Sequence, residues 1–358
     1  MSLSEKKLKI LYFGANRGNS GSRVQGLRQL GHQVEFVFQR SPIETAWRPW
    51  RSLEWRLCNG PITLKLNRRF LRRALEVRPD LVWTEMGKLI YARTLKQIKE
   101  RLGCLLVNTY SDDFLDKSST KRSPHYERAI PLYDHIFTPR DVNFDELRHR
   151  GAKAVGKFWK GFDPEFHFPE RLTDEQRSEF ATDLVFIGHG EPSRIEPLTA
   201  LAMEITEMKV WGNGWQRFRL PPELRSKVMY RGAAFENYRR ALSGAKIAVQ
   251  LLSCWARDTQ SSRSFEIPAC GVFMLADRTE DHLASFEEDK EAVFFSSTEE
   301  MVDKAKYYLK NDEARERIAQ AGYRRCLESG YSNYDRARLM LQEALAATSS
   351  HEAFVKTP

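Results

Sequence analysis

Cysteine is scarce in this chain: Cys58, Cys104, Cys254, Cys270 and Cys326 are the five among 358 residues, and no two stand in C-x-x-C spacing. That pattern argues against a disulfide-stapled scaffold or a thiolate metal site and leaves reduced core thiols as the expectation. No apolar stretch approaches the roughly 18 residues that crossing a bilayer requires. Leu8–Phe13 is a short strand-like run with no small-residue cleavage site behind it, so no secretory leader is expected and the protein is read as cytoplasmic. Also missing is G-x-G-x-x-G: the first glycines after an apolar run fall at 14, 18 and 21. A dinucleotide oxidoreductase is therefore disfavoured. No acidic D-x-D pair, repeat or low-complexity tract occurs, and no metal site or tightly bound cofactor is expected.

Length and charge are what the chain does have. At 358 residues it exceeds what one hydrophobic core normally organises, which predicts two domains. Residues 1–165 carry 31 Lys+Arg against 18 Asp+Glu, while the remainder carries 26 against 30. A basic amino-terminal half facing an anionic partner follows from that asymmetry, either a membrane surface or a phosphorylated acceptor; a merely soluble basic surface is the plainer reading.

The chemistry concentrates between Asp258 and Asp277, D-T-Q-S-S-R-S-F-E-I-P-A-C-G-V-F-M-L-A-D. It lies behind an apolar run, Ile247–Leu252, and contains a predicted helix from Ser262 to Cys270 with Gly271 as its stop. Val272–Ala276 then reads as another strand. Strand, helix and strand at this spacing form a βαβ unit, whose helix starts at the carboxyl edge of a parallel sheet and attracts anions. Ser262, Ser264 and Phe265 sit at that start with Arg263, a permanent planar cation. Glu266, about one turn on, is suited to accept hydrogen bonds from sugar hydroxyls. The alternative is an ordinary i, i+3 ion pair between Arg263 and Glu266.

F-E-I-P-A-C-G resembles the F/L-E-x-x-A-x-G signature of group 1 (family 4-like) glycosyltransferases with the GT-B fold. S-R-S-F-E is closer to the spore-maturation-protein branch of that family. The resemblance implies that Glu266 ends an E-x(7)-E pattern, with Asp258 standing where the first acid is usually Glu. K-G-F-D-P-E-F-H-F-P, Lys160–Pro169, resembles the segment that joins the two halves of many members. F-I-G-H-G-x-x-S-R resembles the family's glycine turn, so Gly188, His189 and Gly190 are implied at the donor and Arg194 on its pyrophosphate. A bidentate guanidinium fork suits phosphate oxygens, though Arg194 also reads as a surface cation. W-G-N-G-W resembles a turn near the nucleotide base, placing Trp211 and Gly212 there; a packed core tryptophan is the alternative.

In the first half, Leu8–Phe13 leads into a glycine-rich loop and a helix ending at Leu30. Gly14, Asn16 and Arg17 are candidate acceptor-side groups of that loop, which otherwise simply makes a turn. Gln33–Phe38, Leu81–Thr84, Leu105–Asn108 and His135–Thr138 read as strands; Asn67–Val77, Lys88–Arg101 and Asn143–Arg150 read as helices. Glu85 and the pair Asp112–Asp113 fall at strand ends, where parallel sheets bind ligands. The two aspartates also suit a helix cap. Residues 47–78 interleave Trp47, Trp50 and Trp55 with eight arginines. An anionic membrane interface satisfies both residue types; core tryptophans with solvated arginines, or a nucleic-acid surface, are alternatives, and nucleic acid is not expected.

The sequence thus predicts an α/β protein of two Rossmann-like doubly wound parallel sheets facing a cleft. Residues 1–165 form the acceptor-side domain, residues 166–331 bind the nucleotide-sugar donor, and a final helix within 332–358 crosses back to the first domain. What the resemblance implies is transfer of a sugar, from a UDP-sugar by family preference, to a glycan, lipid-linked or other hydroxyl acceptor. Retention of configuration without metal is the implied course, with Arg194, Arg263 and Glu266 at the donor. Asp112, Asp113 or Glu85 serves as base if the chemistry inverts. A catalytically silent nucleotide-sugar or glycan binder, or another Rossmann-type nucleotide enzyme, is the alternative.

Overall fold

A computed structural model describes residues 7–15, 18–38, 53–54, 56–113, 123–234, 236–255 and 257–355. Asn16, Arg17, Trp47, Arg48, Trp50, Arg51 and Trp55 lie outside the described residues. The chain divides into two compact units, residues 1–159 with 333–358, and residues 160–332.

In unit 1, strands β1 (Lys9–Gly14), β2 (Gln33–Phe38), β3 (Leu81–Glu85), β4 (Leu105–Thr109), β5 (His135–Thr138) and β6 (Val155–Lys157) form one sheet ordered β2-β1-β3-β4-β5-β6. Every pairing in it is parallel. Such a sheet is covered on both faces, so its central strands are buried nearly throughout rather than alternating, with polar residues (Thr84, Glu85, Asn108, Thr109) only at their carboxyl ends. All five residues of β3 are buried accordingly. One face stacks Tyr12, Trp83 and Phe137 with ring centroids 5.9 and 6.4 Å apart. Ala337, Met340, Leu341, Ala344 and Leu345 of the last helix, Asn333–Val355, join that core. This helix also lies against the helix Gly18–Gln29, where Gly26 makes the approach possible: a Cβ there would sit 2.6 Å from Tyr334 Cα.

Unit 2 is ordered β11-β10-β9-β7-β8, again all parallel, from β7 (Thr182–Ile187), β8 (Met208–Trp211), β9 (Ala245–Gln250), β10 (Phe273–Asp277) and β11 (Val293–Phe295). In both units the chain moves outward from its first strand in one direction and then returns to that strand's other side. The strand order therefore reverses between β1 and β3, and between β7 and β9. At such a reversal the connecting segments diverge and leave a crevice outside the carboxyl ends.

Several boundaries differ from the sequence reading. The helix expected from Asn67 begins at Pro61, whose ring fits the first helical position. Beside β8, Val228 makes a single bridge to Val210, and Tyr230 just after it has a positive φ of 53°. Ser297 caps its helix by accepting from the Glu300 amide at 3.2 Å, but the Glu300 carboxylate bonds the Ser296 amide rather than closing a capping box. The last helix runs from Asn333 to Val355, within the 332–358 segment expected from the sequence. No described helix is long and apolar enough to cross a membrane.

Candidate active site

The crevice between β7 and β9 is framed by backbone that only glycine permits. Gly212 has φ +151°, and a Cβ on it would lie 1.8 Å from the Gly188 carbonyl. Gly188 donates to the Trp211 carbonyl at 2.8 Å and Gly190 to the Asn213 carbonyl at 3.0 Å. Two glycine turns, one after β7 and one after β8, thus interlock main chain to main chain. That places the start of the helix Pro192–Glu204, and Arg194 on it, against the end of β9.

Arg194 is buried, and its fork is held by three partners on two segments. It donates to the His189 carbonyl at 2.9 Å, to the Leu251 carbonyl at 3.0 Å and to Glu191 at 2.9 Å. Its cation also lies 5.4 Å from the centre of the Phe186 ring. Burial depresses its pKa; Glu191 opposes that, and repulsion from Arg263 adds to it. A second guanidinium therefore shares the site. The Arg263 side chain makes no ion pair with Glu266, nor any hydrogen bond to a described residue, and its Nε is buried without an acceptor. The Nε of Arg194 is likewise buried and unpartnered. Buried N–H donors without acceptors are rare because each costs its desolvation.

The helix carrying Arg263 is short, Arg263–Ala269, and its first amides are already used. The Arg263 amide donates to Ser261 Oγ at 3.1 Å, the Ser264 amide to the Ser261 carbonyl at 3.2 Å, and the Phe265 and Glu266 amides to the Ser262 carbonyl. Anion attraction here rests on the side chains more than on open amides. A buried network fixes this start: Gln250 Nε2 donates to Ser261 and Ser264 Oγ at 3.1 Å each, and Ser264 Oγ meets His282 Nε2 at 2.8 Å. His282 Nδ1 lies 2.6 Å from the Asp277 carbonyl oxygen, and burial lowers its pKa. Burial raises that of Asp277, whose carboxylate accepts the Leu252 amide at 2.6 Å.

Glu266 is half-buried and faces an aromatic wall. Tyr238 donates to Oε2 at 2.6 Å, and burial followed by the Glu266 charge drives the phenol's pKa up. His167 takes the Asp163 amide on Nδ1 at 3.0 Å, which leaves its Nε2 facing Glu266 Oε1 at 3.9 Å. Asp258 is half-buried, while Gln260 and Thr259 beside it donate to Asp281. Trp211 and Phe265 are core residues, at 1% and 0% exposure. Phe180 stacks on Trp211, and Arg231 covers its ring at 5.0 Å. His189 alone of the first glycine turn is exposed.

The remaining candidates belong to unit 1. Gly14 and Glu85 stand at the ends of β1 and β3, on either side of that sheet's reversal. Glu85 is buried and takes Arg23 Nε at 2.7 Å, with the Tyr12 hydroxyl on the same oxygen. Asp113 is buried with Arg140 Nε 4.0 Å away; Asp112 is half-buried. Among the described residues no group of three or more His, Cys, Asp or Glu is arranged to hold a metal. Sequence reasoning passed over Glu191, Tyr238, His282 and Arg23. Glu191 was within reach, three positions before Arg194 at a helix start. The others meet their partners only through the fold.

Residues 194–342 match the family described as glycosyl transferase-like. No curated protein matches by sequence. Solved structures share the fold. A glycosyltransferase from Rickettsia africae is 11% identical, with a TM-score of 0.65 over 96% of this chain and 99% of that one. Sucrose-phosphate synthase from Thermosynechococcus elongatus is 12% identical, with a TM-score of 0.63 over 96% and 100%. Anabaena HepE in complex with UDP-glucose is 13% identical, with a TM-score of 0.61 over 96% and 100%. The spore-maturation branch is not singled out by these matches.

Proposed function

Starting from a chain that is a glycosyltransferase of GT-B fold, we propose that it moves a sugar from a UDP-sugar to an acceptor hydroxyl, retaining configuration and without metal. The observation that carries the donor reading is the pair of mutually repelling guanidiniums at the β7/β9 crevice, each with a buried Nε–H lacking an acceptor. A diphosphate supplies what both lack: negative charge and several acceptor oxygens. In this reading Arg194 and Arg263 hold the diphosphate, and Glu266, steadied by Tyr238, takes hydroxyls of the sugar or ribose. The acceptor oxygen bonds to the anomeric carbon as the bond to the β-phosphate oxygen breaks. The acceptor's proton passes to that phosphate oxygen, so Asp112, Asp113 and Glu85 need not act as base. The choice of uridine leans on relatives such as HepE, solved with UDP-glucose.

Titration of UDP, GDP and dTDP by calorimetry tests the donor site. UDP is expected to bind best. Arg263→Ala should weaken UDP by about 10- to 100-fold, the value of one charge-assisted contact, with little change in melting temperature, because its side chain makes no ion pair or hydrogen bond to a described residue. A large loss of stability with unchanged affinity would contradict this.

We also propose reversible docking of residues 47–78 on anionic membrane, bringing a lipid-linked acceptor within reach. Its support in the described part is the exposure of Arg68, Arg69 and Arg72 on the helix Pro61–Val77, with Leu53 and Leu57 exposed just ahead of it.

A further inference from the structure

We propose that His282 is a positioning residue for Arg263: neutral, with its proton on Nδ1, it orders a chain of hydrogen bonds that seats the Arg263 main chain, and a second proton on the ring reverses part of that chain and weakens donor binding. This rests on the reading of Arg263 as a contact of the donor diphosphate. His282, Ser264 and Gln250 are 0, 0 and 1% exposed, so their polar atoms must find partners within the protein. His282 Nδ1 lies 2.6 Å from the Asp277 carbonyl oxygen, which can only accept. Nδ1 therefore holds the proton of the neutral ring, and Nε2 is left as an acceptor. Ser264 Oγ, 2.8 Å from Nε2, then donates its one hydrogen there. Its oxygen takes two N–H groups in return, the Ser261 amide at 3.0 Å and Gln250 Nε2 at 3.1 Å. The other N–H of Gln250 goes to Ser261 Oγ at 3.1 Å, and that oxygen also accepts the Arg263 amide at 3.1 Å. One carbonyl thus sets the direction of every bond between His282 and Arg263.

A second proton on the ring breaks this order. Nε2–H would have to donate to Ser264 Oγ, whose two lone pairs are already taken and whose own hydrogen would lose its acceptor. Among the described residues, Gln250 Oε1 is buried without a partner. Turning that amide over lets Oε1 accept from Ser264, but it withdraws the N–H from Ser261 Oγ. The change lands on the oxygen that seats the Arg263 amide, and the Arg263 charge is the one that acts on Arg194.

The surroundings of the ring decide where the reversal falls. Phe294 of β11 stacks on it with centroids 5.6 Å apart, and the Arg263 helix offers Ser264. From β10 comes the Asp277 carbonyl, while the Asp277 carboxylate is turned to the Leu252 amide. Asp281, on the ring's own helix, is the charged group that draws the proton in, and Thr259 and Gln260 hold its carboxylate. Burial outweighs these pulls and keeps the pKa of the ring below 6.5. The donor is therefore gripped at neutral pH and loosened on the acid side of that value.

The test titrates UDP-glucose, whose diphosphate keeps its charge between pH 7.5 and 5, into the full-length chain by calorimetry. The wild type should bind about three- to tenfold more weakly at pH 5, the reach of one proton over this range. His282→Gln keeps an acceptor for Ser264 but takes no proton, so most of that difference should vanish; what remains belongs to other groups, such as the exposed His189. Undiminished pH dependence in His282→Gln overturns the proposal, as does a wild type whose affinity ignores pH. Without any donor, NMR of the ¹⁵N-arginine-labelled chain follows the Arg263 amide. Its signal should move at the midpoint at which the His282 ring titrates, and stand still in Ser264→Ala. An amide that ignores that titration, or that responds equally in Ser264→Ala, overturns the proposal too. Absence of UDP-glucose binding at pH 7.5 would sink the donor reading of unit 2, and the amide response would still decide whether His282 governs Arg263.

Discussion

The crevice of unit 1 holds one buried carboxylate, Glu85, with a guanidinium and a phenol gathered on a single oxygen. The crevice of unit 2 holds two guanidiniums, with one buried carboxylate, Glu191, drawing on Arg194 and on Ser253 at 2.9 and 3.0 Å. Both lie where a parallel sheet reverses its strand order, so topology decides where each unit can bind. What each can bind is set by a few side chains whose charges are left incompletely matched. In unit 1 the excess is an acceptor oxygen; in unit 2 it is a pair of N–H donors. Fold and chemistry separate cleanly here.

The largest test of this contrast removes one cation from each crevice. Arg23→Ala leaves Glu85 buried without its countercharge, and Arg194→Ala does the same to Glu191, which is 4% exposed; each keeps a hydroxyl donor, of Tyr12 and Ser253 respectively. Each should cost about 3–5 kcal/mol by chemical denaturation, the usual effect of orphaning a buried charge. Only Arg194→Ala should also lose UDP binding among the molecules that remain folded. Equal loss of UDP affinity in both variants would erase the distinction between the units.

A smaller effect is expected from the basic face of unit 1. Arg68, Arg69 and Arg72 to Gln should lower the proportion co-sedimenting with anionic vesicles, by about 1 kcal/mol per residue near the surface. Arg72 lies 3.7 Å from Glu76, and Arg73 is paired with Glu35 and Glu76, so the contribution of these two is the weaker. Binding indifferent to lipid charge or salt, or retained in the triple variant, would refute docking.

Unit 2 should also carry a pH dependence through His282. Its folded pKa lies below the free histidine value of 6.5, because burial penalises the imidazolium. Its contribution to stability is therefore present above about 6.5 and is lost as pH falls through the lowered value. Asp281 is the charged group acting on it, and favours the protonated ring. His282→Gln should flatten this part of the curve measured by urea denaturation between pH 7.5 and 5. Some slope will remain from His32 and His125, lowered in the same direction but only half-buried. An unchanged curve would contradict the assignment.

The smallest expected effect is none. Asp112→Asn and Asp113→Asn should each keep measurable turnover if the leaving phosphate takes the acceptor's proton. Near-total loss in one of them, with UDP affinity intact, would make that residue a base and inversion the course. The anomeric configuration of the product by NMR then decides.

Much of this architecture was legible without coordinates. Parallel strands buried on both faces are largely apolar, so Leu8–Phe13 and Ile247–Leu252 announced themselves, and Gly271 marked a helix end where a left-handed residue is needed. Arg194, Arg263 and Glu266 were legible because they belong to motifs contiguous in the chain. Short-range patterns like these are set by local backbone sterics and by the alternation of elements, which one chain segment carries by itself. Pairings over long separations are not written that way. Arg23 finds Glu85 across 62 residues and Ser264 finds His282 across 18 because the strands they follow or end are neighbours in a sheet, while Tyr238 finds Glu266 across 28 from the helices on either side of β9 in sequence. Sequence also could not say that Trp211 would sink beneath Phe180 and Arg231, nor that Arg263 would ignore Glu266. The residue types and their local order determined the two sheets and their candidate edges. Only packing decided which charges were left partly unmet there, since desolvation and hydrogen-bond satisfaction depend on every neighbour at once.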